Sequence, residues 1–146
     1  MPGDLTAAVD LELHGLFKLV RAALPQLRSA GGSIVALTSA GLGRFPPGDA
    51  LSVVPKAAVQ ALIRGLAREE GRYGIRANAV AVGVADGGLF HRIDFDERWK
   101  ETAKQNIALR RFGRPEEIAS VVCFLLGSDA SYVTGQTLYA DGGYAI

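Results

Sequence analysis

Ser52 and Lys56 stand four residues apart at the start of a stretch that also carries Val59, Leu62, Ile63 and Leu66 on one face. On a helix, positions i and i+4 are neighbours, so this hydroxyl and this amine can share one turn. An amine that takes a proton from a hydroxyl makes a Ser–Lys nucleophile, and Ser39, at the end of an apolar run, offers a second hydroxyl for the same chemistry. No motif in the chain supplies an oxyanion hole. The plainer expectation is that Ser39 caps a strand end and that Lys56 is solvated.

Other reactive side chains are few. His14 and His91 are the two histidines, and neither has a second ligand at a recognisable metal spacing, so no metal is expected. Cys123 is the single cysteine and lies in the run Val121-Val122-Cys123-Phe124-Leu125-Leu126, which predicts a small buried hydrophobe and excludes a disulfide framework within one chain. Asp94, Asp96 and Glu97 read as a solvated helix start. Phe90, Phe95 and Trp99 fit either the lining of a pocket or a lid folded onto the protein, and both readings stay open.

The elements that must position these residues follow from periodicity. Leu13, Leu16, Phe17, Val20, Leu24 and Leu27 form one stripe on a long helix over residues 5–28, stopped by Gly31-Gly32. Ser33 to Thr38 is a short apolar run with β-branched members, as in a strand covered on both faces. Residues 40–50 hold three Gly and two Pro and predict a loop. A second helix, over residues 53–72, ends at Gly74, and Pro55 is expected in its first turn. Ile75 to Val82 predicts a second buried strand. The glycine-rich segment 83–88 predicts a mobile loop, and residues 94–107 a polar helix over the sheet. Gly113-Arg114-Pro115-Glu116-Glu117 is a helix start, with Pro and two acids suited to the first turn. Thr137 to Ala140 predicts a last strand before the turn Asp141-Gly142-Gly143. Alternating strands and helices imply an α/β fold with a parallel sheet.

Composition bounds the function classes. The 146 residues are 49% hydrophobic and 21% charged, as in an ordinary globular domain. The formal net charge of +1 gives no basic footprint, so neither nucleic acid nor an anionic membrane is an expected partner. Met1-Pro2-Gly3-Asp4 has no leader character, and no run reads as long enough to span a bilayer. These features predict a cytoplasmic protein.

Three stretches together resemble the short-chain dehydrogenase/reductase family. Gly74-Ile75-Arg76-Ala77-Asn78-Ala79-Val80 resembles its entry into the sixth strand. Arg111-Phe112-Gly113-Arg114-Pro115-Glu116-Glu117-Ile118-Ala119 resembles its last helix. Ser128 to Gln136 and Asp141-Gly142-Gly143 resemble its C-terminal strand and turn. In order and at family spacing, they cover nearly the whole chain, and the nearest group is that of acyl-carrier-protein reductases and sugar dehydrogenases.

The resemblance implies a truncated Rossmann-like parallel sheet: residues 1–146 form a single C-terminal half domain that carries the last three strands and lacks the dinucleotide-binding half. A pyrophosphate needs converging N–H groups at a helix N-terminus. The cluster Gly41-Leu42-Gly43 follows a strand but leads into a Pro-rich loop. By resemblance the family's catalytic serine falls on Ser39 and its lysine on Lys56. The tyrosine falls on Ser52, whose alkyl hydroxyl is a far weaker acid than a phenol. The asparagine falls on Glu12, whose carboxylate is placed to pair with Lys56. Of the cofactor contacts, Lys56 and Gly83 remain, while Val82 and Gly87 stand where the family has proline and threonine.

The resemblance therefore implies no cofactor for the chain alone, and NAD(P) only where a partner supplies the N-terminal half. Ile34 to Leu37 would form an unpaired apolar edge that needs covering. A homo-oligomer, or a hetero-oligomer with a full-length relative, is expected. The expected function is that of a non-catalytic or regulatory pseudo-subunit. The alternatives are a subunit of a composite NAD(P)-dependent oxidoreductase, a drifted enzyme using Ser39, Lys56 and Glu12, or a fragment of a longer product.

Overall fold

A computed structural model describes residues 4–146, apart from the side chain of Leu89. Met1 to Gly3, read above as lacking leader character, lie outside them. Three parallel strands, β1 (Gly32–Ser39), β2 (Ile75–Val82) and β3 (Thr137–Ala140), form one sheet in the order β1-β2-β3. Ser39 pairs with Val82, and Val82 with Ala140, so the carboxyl ends of all three strands lie level. This is the α/β, truncated Rossmann-like sheet expected from the sequence.

Each face of the sheet has its own cover. On one side, α2 (Gly15–Ala30) and α4 (Ala50–Glu70) bury Val20, Val59, Ile63 and Leu66 against Ala36, Ala77 and Ala79. Alanines on the strands let α4 approach closely. On the other side, α6 (Pro115–Leu126) packs Ile118, Val121, Val122 and Leu125 on Val35, Val80 and Leu138. Burying a side chain of this size contributes roughly 1.5–3 kcal/mol. The fully buried Asn78 fastens the approach to β3: its Nδ2 donates to Val133 O at 2.8 Å, and Gln136 N donates to its Oδ1 at 3.0 Å.

Several local expectations need correction. The first helix is not uniform: α1 (Leu5–Val9) passes through a π-helical turn at Asp10–His14 before α2. Gly41–Arg44, expected in a loop, forms a short helix, α3. Because α4 begins at Ala50, Pro55 lies inside it rather than in its first turn. Cys123 is exposed, since the stripe 118, 121, 122, 125 turns the intervening residues away from the sheet. Ala50–Tyr73 is, against expectation, long and apolar enough to cross a membrane by length and composition. Here its apolar side lies on the sheet, and the central helix of an α/β fold meets the same criteria. The 83–88 segment is tied down by Gly113 N to Val84 O at 2.9 Å and Asp86 N to Gly113 O at 2.8 Å.

Candidate functional site

The level carboxyl ends of β1 and β2 open into a cavity of about 450 Å³. Crevices at that end of a parallel sheet are where open α/β folds bind ligands. Ser39 lies on its wall, with its Oγ accepting a hydrogen bond from Gly41 N at 3.0 Å. Asp49, just before α4, Tyr144 from the C-terminal segment, and Phe95 and Trp99 also line it. Of the two readings given for Phe90, Phe95 and Trp99, the pocket lining holds for Phe95 and Trp99, while Phe90 packs behind them with its ring centroid 5.4 Å from that of Phe95. Phe95 and Trp99 sit at the start of α5 (Glu97–Gln105), where Asp96 is not merely solvated: its Oδ1 accepts from Trp99 N at 2.6 Å and caps the helix. The two rings stack with centroids 3.9 Å apart.

The turn after β3 delivers Tyr144. Asp141 carries it, its carboxylate accepting from Gly143 N at 2.8 Å and Ala145 N at 2.9 Å. Gly142 and Gly143 take φ of 64° and 82°, a region that disfavours other residues. Arg44 holds the segment in place by donating to Tyr144 O at 3.2 Å and Asn106 O at 3.1 Å. Gly83 also lines the cavity, and a Cβ there would fall 2.6 Å from Asp141 Cα. Gly83 thus lets the backbones after β2 and β3 close on one another.

A second group lies beside this cavity. The π-helical turn packs against α4, and Glu12 on that turn receives both of its hydrogen bonds from Lys56 Nζ, at 2.7 and 2.9 Å. Lys56 Nζ also donates to Ser52 Oγ at 3.4 Å. Lys56 is therefore not solvated as the plainer reading had it; it is held in a half-buried ion pair. The structure brings Glu12, Ser52 and Lys56 into one network, with Ser39 on the wall of the cavity next to it. Asp49 links the two. Burial pushes its carboxyl above the ordinary value, opposed by the Lys56 charge and a hydrogen bond from Ser52.

Asp49 and Tyr144 were missed in the sequence. Asp49 sits in a Pro- and Gly-rich stretch that gave no reason to face a cavity, and Tyr144 is far away along the chain. Each histidine pairs with a nearby carboxylate, His14 with Asp10 and His91 with Asp86. Among the described residues, no three His, Cys, Asp or Glu side chains converge on a metal-sized site.

A family model described as enoyl-(acyl carrier protein) reductase matches residues 2–145. The chain belongs to the short-chain dehydrogenase/reductase family. It is 36% identical to a 3-oxoacyl-[acyl-carrier-protein] reductase of Thermotoga maritima over 98% of its own length and 58% of that protein. It is 40% identical to an acetoacetyl-CoA reductase of Synechocystis sp., covering 98% of this chain and 60% of the relative. Among solved structures, a 3-oxoacyl-[acyl-carrier protein] reductase from Brucella melitensis superposes with a TM-score of 0.91 at 30% identity, over 100% of this chain and 55% of the other. A gluconate 5-dehydrogenase from Burkholderia cenocepacia, in complex with NADP and tartrate, also gives 0.91, at 28% identity over 99% and 57%. The chain thus spans somewhat more than half the length of these relatives.

Membership raises the fit of a nicotinamide nucleotide. A lysine ammonium has three N–H donors. Around Lys56 the two Glu12 oxygens and Ser52 Oγ supply three acceptors. A ribose hydroxyl would have to displace one of them, and among the described residues the cavity wall has no cation to meet a phosphate. As arranged, these residues do not fit the nucleotide.

Proposed function

We propose that this chain serves as a non-catalytic, oligomer-forming subunit of the short-chain dehydrogenase/reductase type. The observation that carries the reading is the double hydrogen bond from Lys56 to Glu12. The resemblance gives this lysine the task of lowering a tyrosine pKa and holding a ribose. Here its charge is neutralised by Glu12, and its i−4 neighbour is Ser52, whose hydroxyl cannot take a phenol's place as proton donor near neutral pH. The open edge of β1, with Leu37 58% exposed, supports assembly with a second polypeptide, either another copy or a full-length relative.

Native mass spectrometry of the chain from its own host tests this, together with NADPH titration of the pure protein. A stable oligomer with no nucleotide binding is the expected result. A monomer that ignores full-length relatives, or hydride transfer by the pure chain, would refute it.

A second reading, a composite NAD(P)-dependent enzyme, is favoured by one observation: Ser39 and the Tyr144 phenol share a cavity wall at the carboxyl end of the sheet. There a partner would supply the nucleotide-binding half. The relatives' names suggest a 3-oxoacyl thioester as the trial substrate. Ser39→Ala and Lys56→Ala would then abolish the activity of the complex while leaving its assembly intact, and indifference to both would dismiss the reading.

A further inference from the structure

We propose that the cavity at the carboxyl end of the sheet binds a small organic cation, a quaternary or protonated amine, between the Asp49 carboxylate and the aromatic rings of Phe95, Trp99 and Tyr144. The chemistry of the wall argues for it. Among the described residues lining the cavity, Asp49 is the only charged one. Three aromatic residues share the wall, and aromatic faces attract cations through their quadrupole, most strongly where water is displaced. The Tyr144 ring already has one such neighbour, the Arg44 guanidinium, 5.4 Å from its centroid. A volume of about 450 Å³ lies within the range of roughly 300–1,000 Å³ common for small-molecule sites.

Neither of the two nearby basic residues, Lys56 and Arg44, is on the cavity wall. Lys56 gives its charge to Glu12, and Arg44 gives its Nη1 donors to the carbonyls of Asn106 and Tyr144. Glu12 therefore has an effect beyond Lys56: it shares the lysine charge that also acts on Asp49. Burial pushes the Asp49 carboxyl upward more than the Lys56 charge and the Ser52 hydrogen bond pull it down, as for a carboxylate partly withdrawn from water. A Cβ at Gly41 would fall 3.0 Å from Ser39 Oγ and 3.2 Å from both Asp49 Oδ2 and Val53 Cγ2, so the glycine lets the backbone pack closely beside Ser39 and Asp49. Asp49 and Ser39 both line the cavity, which offers a carboxylate and a hydroxyl to a ligand with an ammonium centre and a hydroxyl of its own.

The inference stands whether or not the chain takes part in hydride transfer. Its test compares choline with its uncharged isostere, 3,3-dimethylbutan-1-ol, titrated into the full chain and followed by NMR at the Trp99 indole. Choline is expected to bind about 10-fold tighter than the isostere, the discrimination that one cation–π contact with a carboxylate partner supplies. Asp49→Asn should remove most of that preference, and Trp99→Leu should weaken choline. Equal affinity for the two probes in the unaltered chain would overturn the proposal. So would failure of choline to saturate at millimolar concentrations, or saturation that leaves the Trp99 indole unmoved. These readouts come from the unaltered chain and do not depend on whether either variant folds.

Discussion

Replacing Glu12 tests the feature on which the proposed function turns. Glu12→Gln keeps the shape of the side chain but removes its charge and one of the two acceptors at 2.7 and 2.9 Å from Lys56 Nζ. The pair is neither surface nor core: 22% of the lysine side chain and 30% of the glutamate side chain remain exposed. Exposed pairs contribute about 0–1 kcal/mol. Breaking a fully buried pair costs about 3–5 kcal/mol, because a desolvated charge is left behind. A half-buried pair belongs between these limits, so Glu12→Gln should cost about 2 kcal/mol. For a chain of this size that corresponds to a fall in Tm of roughly 4–8 °C. A double-mutant cycle with Lys56→Met separates the pair from side effects. If the ion pair is what holds Lys56, urea unfolding should give a coupling of about 1.5 kcal/mol, with the double variant less destabilised than the two single ones suggest. A coupling below about 0.5 kcal/mol would mean that Lys56 is free in solution, and the case for a neutralised lysine would fail.

Three more outcomes follow from particular contacts. Gly83→Ala places a Cβ 2.6 Å from Asp141 Cα, a backbone atom that cannot swing aside, and should destabilise the fold by about 1–3 kcal/mol in chemical unfolding; an unchanged midpoint would deny the close approach of the two strand ends. Leu37→Lys on the exposed edge strand should lower concentration-dependent self-association in sedimentation velocity, with the circular dichroism unchanged; unaltered association would place the oligomer contact elsewhere. The Glu117 carboxyl is held down at about 2 by Arg111 and by the backbone N–H of Arg114, against an ordinary 4.5. A depressed carboxyl stabilises the fold above its unfolded value and loses that contribution as pH falls towards its folded value. Stability should therefore decline between about pH 4.5 and 2, and Glu117→Gln should flatten that limb of the pH–stability profile.

The fold was legible because its signals are local. The stripe on α2, the β-branched runs of β1 and β2, and the Pro-Glu-Glu start of α6 each state an element within a dozen residues, and alternation of the elements states the parallel sheet. Misreadings arose where the deciding force was not local. Cys123 sits in an unbroken apolar run, and only the direction of α6 against the sheet shows that it faces outward. Pro55 looked like a helix opener because the five residues of helix before it, Ser52 among them, carried no start signal of their own. The π-helical turn left no mark that periodicity could detect, yet it is what faces Glu12 towards α4.

The site divides in the same way. Ser39, Ser52 and Lys56 stood out by residue type and spacing as well as by resemblance, and Glu12 by resemblance alone, which locates positions along a chain and says little about what a changed residue does there. Asp49 and Tyr144 required the three-dimensional arrangement, since one precedes α4 and the other follows β3, and only the level carboxyl ends of the strands bring them to one wall. Taken together, these residues tie two departures to each other. A carboxylate at position 12 shares the lysine charge that also acts on the cavity's acid, and Asp49 remains the one charged residue among the described ones on a wall with three aromatic rings. A variant that restores an asparagine, Glu12→Asn, should therefore act at a distance. With the Lys56 charge no longer shared with Glu12, it should act more fully on Asp49, and choline affinity should fall even though residue 12 is not on the cavity wall. Unchanged affinity in a folded Glu12→Asn chain would show that the lysine network and the cavity are electrostatically independent.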